Sequence, residues 1–206
     1  MHRRTGLVPR ALAQRDASLV VIATEDRYAG KQYFDALKAN GLVDTGRVCV
    51  VVVPTEDCRS NPRAVLDRLS AMRIVGELKA MDQRWLSVDR DRWPDKVLAD
   101  VCRECQQKGW YVAVSNPCFE AWLLLHHSDA ALPLTASECE VQLRSLLGGY
   151  NKTQLRSEIY TFVTVSGACA RARALDAQPG DRWPQQPGSR LYRLVEPMLR
   201  DAGAQS

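Results

Sequence analysis

Three acidic residues stand where apolar runs end. Glu25 follows SLVVIAT (18–24), and Asp89 and Asp91 close the stretch WLSVDRD. Short β-branched runs of this kind read as strands. In open α/β sheets functional groups gather at the carboxyl ends of the strands. Residues i and i+2 of an extended chain point the same way, so Asp89 and Asp91 are expected to project toward one spot. If the two strands are neighbours, Glu25 joins them. Three carboxylates so placed repel one another unless a cation sits between them. Hard oxygen donors suit Mg²⁺ or Mn²⁺, which keep waters and bind substrate phosphate. The plainer reading of a bare DxD is two solvated loop aspartates. What makes this one more specific is that both the DxD and the upstream glutamate follow hydrophobic strands.

The elements that must position these acids alternate along the chain. After SLVVIAT, residues 31–40 have helical spacing and stop at Gly41. RVCVVVV (47–53) is a continuous apolar run, as in a strand covered on both faces. Asn61-Pro62 supplies an N-cap and an N1 proline to a helix whose apolar face runs Val65, Leu69, Met72, Val75, Leu78. WLSVD (85–89) is the next strand, 95–109 a helix closed by Gly109, and WYVAVS (110–115) another strand. Asn116-Pro117 repeats the cap signature before CFEAWLLLHH, which places Glu120 in a first helical turn. The apolar residues Trp122 to Leu125 belong to the core, and a buried, hydrogen-bonded role suits His126 better than a catalytic one. Beyond residue 130 the strand signals vanish, and 136–147, 153–177 and 189–201 read as helices around a Pro/Gly-rich loop at 179–188. The expected organisation is a basic flexible tail (1–16), an α/β core (17–130) and a helical extension packed on it (131–206).

Composition sets the outer limits. With 206 residues, 46% hydrophobic and 25% charged, the chain has the make-up of a globular protein. No apolar run approaches the roughly 18 residues of a membrane helix, and no leader-like stretch follows the first arginines, so a cytoplasmic protein without membrane contact is expected. Arg3, Arg4, Arg10 and Arg15 carry the whole net charge of +4, leaving the body neutral. Residues 142–198 hold eight basic side chains, including Lys152 and Arg156, against four acids. Either region could meet phosphate; solvated faces are the alternative. Seven irregularly spaced cysteines suit reduced thiols, and the lone Cys102/Cys105 CxxC lacks a second pair to complete a zinc set. No GxxxxGK[ST] loop is present, so the chain has no Walker-type ATP site of its own.

A glutamate after one strand and a DxD after another form the acidic pattern of the Toprim fold. Longer words narrow it: VIATEDRYAGKQYFDAL, VDRD, SNPCFEAWLLLHH (115–127), Tyr150 and Lys152 in GGYNK, and SRLYRLVEPML. Together they resemble the RloB-like family, a Toprim-related group of bacterial and archaeal proteins linked with restriction or abortive-infection loci. The resemblance implies a Toprim-like α/β fold, with a mostly parallel central sheet flanked by helices and a helical C-terminal third. Glu25 would be the Toprim glutamate, a metal ligand or general acid/base, and Asp89 and Asp91 would hold Mg²⁺ or Mn²⁺. The family commonly has Gly after that glutamate and a Thr-Glu pair soon after, where this chain has Asp26 and Ala29-Gly30.

The expected activity is a metal-dependent nuclease acting on phosphodiester bonds of DNA or RNA in anti-phage defence, beside an ATPase encoded at the same locus. Glu25, Asp89, Asp91, Glu120 and Lys152 are the expected catalytic residues, and Asn116, Lys152 and Arg156 the expected substrate contacts. Asn116 is in the first place a helix cap. A homo-oligomer stays open. The alternative is a catalytically weak Toprim module that binds a partner or nucleic acid, favoured by the missing downstream acid.

Overall fold

The computed structural model describes residues 7–9, 17–53, 55, 61–75 and 79–200. Its elements are β1 (Leu7–Pro9), β2 (Ser18–Thr24), α1 (Ala29–Ala39), β3 (Val48–Val53), α2 (Pro62–Ala71), β4 (Arg73–Val75), β5 (Gln83–Asp89) and α3 (Asp95–Gln107). Then follow β6 (Tyr111–Asn116), α4 (Phe119–Leu124), α5 (Ala136–Leu147), α6 (Phe162–Leu175), β7 (Gly188–Ser189) and α7 (Tyr192–Val195). Five strands form one sheet in the order β3-β2-β5-β6-β7, parallel except for β7. This is the mixed α/β class with a mostly parallel sheet expected of a Toprim-like fold. β2 and β5 are direct neighbours, with Thr24 opposite Ser87, so the ends that carry Glu25 and Asp89 lie side by side.

Both faces of the sheet are covered, which is why its strands read as unbroken apolar runs. Along β2, Val20 and Ile22 enter a core with Tyr33, Phe34 and Leu37 of α1 and Trp122 and Leu123 of α4, together with residues of α5, α6 and α7. Leu19, Val21 and Ala23 enter a second core with Val65, Leu66 and Leu69 of α2 and Leu98 and Val101 of α3. Each such side chain, fully buried, contributes roughly 1.5–3 kcal/mol. His126 lies within the first core. Its Nδ1 is 3.0 Å from the Trp122 carbonyl and its Nε2 3.1 Å from the Tyr33 hydroxyl, so Nδ1–H donates and Nε2 accepts. Burial pushes its pKa down to about 3, and the ring is a neutral core group.

Local signals fix several boundaries. The Asn61 side chain accepts from the Ala64 N–H at 2.8 Å, with Pro62 at N1. Gly41 and Gly109, at φ 67° and 66°, take the left-handed conformation that closes α1 and α3. In each case the N–H after the glycine donates five residues back, Leu42 to Leu37 and Trp110 to Cys105. Thr135 and Glu138 cap α5 reciprocally.

Elsewhere the structure departs from the sequence reading. The helix expected to continue through Leu78 stops at Ala71, because Met72 turns extended and Arg73–Val75 pair in parallel with Leu7–Pro9. That pairing also gives a strand within the segment read as a tail; residues 1–6 and 10–16 lie outside the described residues, as do Leu78 and Cys58. The helix read over 153–177 begins only at Phe162, with a 3₁₀ turn at Ser157–Ile159 before it. The Asn40 amide donates to the Ser157 and Tyr160 carbonyls, which draws those acceptors toward α1. The C-terminal stretch read as one helix opens instead with β7, and after α7 passes into a 3₁₀ turn at Glu196–Met198.

Asn116 is likewise not a helix cap. It ends β6, its bond to Pro117 is cis, and Cys118 occupies the N-cap of α4. Its amide donates to the carbonyls of Pro184, Gln185 and Gln186 at 3.0–3.2 Å. The loop it holds is also pinned from the other side. Arg190, only 2% exposed, pairs with Asp176 at 2.9 Å and donates to the carbonyls of Gln178 and Asp181.

Candidate functional site

β2 continues one residue past its end, as the Glu25 N–H donates to the Ser87 carbonyl at 2.9 Å. The Glu25 side chain is thereby held over β5, only 6% exposed. Its Oε2 accepts from the Asp89 N–H at 2.8 Å and its Oε1 from Trp93 Nε1 at 2.9 Å. Burial raises its pKa from 4.5 to about 7 against the pull of these two donors, and Asp91 adds to the rise. Trp93 was not among the expected site residues, and a lone tryptophan in a loop gives no sign that it will grip a glutamate.

β5 ends at Asp89, and Asp91 sits on the turn beyond it. The alternation that was to aim both aspartates one way therefore stops at Asp89. The turn is fixed by backbone bonds to the end of β6: Arg90 N–H donates to the Ser115 and Pro117 carbonyls, and Asp91 N–H to Pro117. Asp89 keeps part of its surface open, yet its pKa is pushed well up. Loss of water is the first cause, followed by the charges of Glu25, Glu120, Asp91 and Asp26. Asp91 is also raised by burial, and its Oδ1 lies 3.8 Å from Arg92 Nε.

Asp26 fills a structural role. Its Oδ1 accepts from the N–H groups of Tyr28 at 2.7 Å and Gly30 at 3.3 Å, supplying the first turn of α1, whose N-cap residue makes no side-chain cap. Glu120, 8% exposed in the first turn of α4, accepts from the Tyr150 hydroxyl at 3.0 Å. Gln32 of α1 clamps the same loop, donating to the Lys152 carbonyl and accepting from the Leu155 N–H. Neither Tyr150 nor Gln32 was expected to organise the site; only the family-like spacing of Tyr150 and Lys152 hinted at the first.

Lys152 and Arg156 are exposed, and Arg156 donates to the Leu147 carbonyl. The Asn116 amide is spent on the 184–186 loop. Much of the basic surplus of 142–198 is consumed internally: Arg144 pairs with Glu140, Arg171 with Asp129, Arg173 with Glu196, and Arg190 and Arg193 with Asp176. Burial pushes the thiols of Cys102 and Cys105 up to about 11 and about 12, so the CxxC pair is not a reactive thiolate.

A cavity of ≈ 10 Å³ opens among Thr24, Glu25, Asp26, Gly30, Ser87, Asp89 and Phe119, room for about one water or ion centre. Among the described residues no three His, Cys, Asp or Glu side chains stand ready as a metal-ligand group. The donor chemistry nonetheless fits a hard cation: the polar side chains that line the cavity offer oxygens only, from Glu25, Asp26 and Asp89 and from Thr24 and Ser87. Gly30 closes one wall. A Cβ there would lie 2.7 Å from Thr24 Cγ2 and 2.9 Å from Thr24 Cβ. Gly30→Ala is expected to destabilise the fold by about 1–3 kcal/mol, an overpacking cost read as a lower urea midpoint. A midpoint equal to wild type would show that this wall yields freely.

No helix among the described residues is long and apolar enough to cross a membrane. A family model described as RloB-like protein matches residues 20–198. No curated protein and no solved structure matches the chain.

Proposed function

The chain belongs to the RloB-like family, and from that premise we propose that it is a metal-dependent nuclease of anti-phage defence, cutting phosphodiester bonds of DNA or RNA beside an ATPase encoded at the same locus. The observation that carries the reading is the gathering of Glu25, Asp26 and Asp89 around one small cavity at the adjoining ends of β2 and β5. Such crowding of carboxylates is unfavourable in isolation and marks functional sites. Glu25, Asp89 and Asp91 are the residues that would hold Mg²⁺ or Mn²⁺. When bound, the ion supplies charge stabilisation at a phosphoryl oxygen and an acidified water.

The chain's own residues do the rest. Glu25, with its carboxyl pushed up to about 7, can take or give a proton at neutral pH. Glu120, held by the Tyr150 hydroxyl, stands among the acids that oppose ionisation of Asp89. Lys152 and Arg156, which have no acidic partner among the described residues, offer positive charge to the phosphate backbone without reading bases. Asn116 acts indirectly, by holding the 184–186 loop against the end of β6.

A second reading rests on a specific observation: both Glu25 oxygens are already occupied by Asp89 N–H and Trp93 Nε1. A module that binds nucleic acid or a partner without cutting would leave them so. The test is cleavage of labelled single- and double-stranded DNA and RNA with Mg²⁺ or Mn²⁺, with and without the neighbouring ATPase, wild type beside Glu25→Gln. Metal-dependent cutting that falls by about 10²–10⁴ in the variant is the expected result for loss of an acid/base group. No cutting in any combination, and no heat of Mg²⁺ or Mn²⁺ binding, establishes the binding module instead.

A further inference from the structure

β5 has a second functional-looking end. Its first residues, Gln83 and Arg84, together with Lys79, Asp82, Lys108 and Trp110, line a cavity of ≈ 250 Å³. Six steps along a strand separate Gln83 from Asp89, about 20 Å at the usual rise. The cavity and the acidic cluster therefore lie at opposite ends of the sheet and cannot share one phosphate.

Among the described residues that line it, Arg84 and Lys108 stand beside Trp110, and Asp82 is the acid. Asp82 directs its Oδ1 at the Leu19 N–H, 2.8 Å away, and its Oδ2 at the Lys79 N–H, 3.0 Å away. The Arg84 guanidinium sits 4.8 Å over the Trp110 ring, and Lys108 Nζ is 5.5 Å from the same ring. Lys108 shares Glu104 with Arg63 at the rim. Arg84 has no carboxylate partner among the described residues, and burial alone acts on it, lowering its pKa. An indole face attracts cations, but it cannot neutralise the Arg84 guanidinium. A half-buried guanidinium facing an open cavity beside an ammonium has its natural complement in a multiply charged oxyanion. Its fork of N–H donors matches phosphate in two bonds at once, with the ammonium adding a point charge.

We propose that this cavity is a phosphate-binding site for a small phosphorylated ligand of the nucleotide class. Its volume lies just below the roughly 300–1,000 Å³ of small-molecule clefts. That suits one or two phosphate groups inside, with the nucleoside at the mouth.

The site is independent of metal and of cleavage, and is tested as such. The full chain in EDTA at low salt is titrated calorimetrically with ADP and with inorganic phosphate, with adenosine as the phosphate-free probe. ADP is expected to bind more tightly than adenosine. Its affinity should fall about tenfold or more in Arg84→Gln, the effect of losing a charged hydrogen-bonding partner, and to a smaller degree in Lys108→Gln, an exposed position that leaves the fold intact. Asp89→Asn should bind ADP as wild type does. Binding of inorganic phosphate alone, with the same loss in Arg84→Gln, keeps the phosphate site and removes the nucleoside from the ligand. The proposal is overturned by absence of heat with either phosphate probe at millimolar concentration, or by affinities unchanged in both cavity variants. An oligothymidylate that outcompetes ADP and loses affinity in Arg84→Gln would assign the cavity to a nucleic-acid backbone instead.

Discussion

Replacing Asp89 with asparagine is expected to abolish metal-dependent cleavage and, in the metal-free protein, to raise stability. The two effects share one cause. A bound divalent ion contributes several kcal/mol to the transition state, so loss of a ligand should cost roughly 10³-fold or more in rate. Without the ion the same carboxylate is a burden: burial and four neighbouring acids oppose its ionisation, and no donor reaches its side chain among the described residues. Wild type and variant share the pH dependence of Glu25, whose carboxyl ionises near 4.5 when unfolded and at about 7 when folded. Below 4.5 both states are protonated and ionisation costs nothing. Between 4.5 and 7 the unfolded chain releases the proton first, so stability falls as pH rises. Above 7 the loss is complete, roughly 3 kcal/mol for this one group. The raised pKa of Asp89 adds a second loss of the same sign, and this one is carried by wild type alone. Urea denaturation in EDTA should therefore show Asp89→Asn gaining over wild type at pH 8 and matching it at pH 3. A variant weaker than wild type at pH 8 would mean that the carboxylate is favourably bound within the protein, and the cluster would no longer call for a cation.

Arg190→Ala carries the largest expected loss of stability. Burial would raise the Asp176 carboxyl, but Arg190, Tyr192 and Arg193 overcome it and hold it below its usual range. Both partners of the Arg190–Asp176 pair have side chains only 3% exposed. Removing the arginine leaves the buried carboxylate only Tyr192 and Arg193 and strands the carbonyls of Gln178 and Asp181, for a loss of about 3–5 kcal/mol. Arg193, more exposed, should cost about 1 kcal/mol or less when truncated. Asp176→Asn placed on Arg190→Ala should restore part of the loss, since it removes a buried charge that has lost its buried partner. Equal midpoints for the single and double variants would locate the damage in packing rather than in the under-compensated acid.

The sheet was largely legible in the sequence because its strands are apolar on both faces and end at prolines and acids. β2 and α5 have the boundaries read from their patterns. What escaped depends on partners far along the chain. Asn116-Pro117 looks like Asn61-Pro62, yet only Asn61 caps a helix; the other asparagine has three carbonyls waiting near residue 185. β7 is two residues long, too short for any period to show. The acids themselves were readable from their places after strands, but their geometry was not. Asp91 leaves the strand direction at a turn, and Glu25 is gripped by Trp93 through a loop that no local rule specifies. The basic surplus of the last third was counted correctly and interpreted too generously, since charge counts do not reveal which arginines find acids.

The contacts of Asn116 have a consequence for the order in which the protein can be built. Its acceptors lie 68 to 70 residues downstream, and the Leu42 carbonyl waits for the N–H of Arg200. During synthesis the four parallel strands are complete well before either closure exists. The nascent chain must hold an unfinished sheet, with the outer edge of β6 bare, until residues 184–200 emerge. Closure over such distances is slow, and an open parallel edge invites foreign strands in the interval. Residues 184–200 thus act as the seal that ends this exposed period.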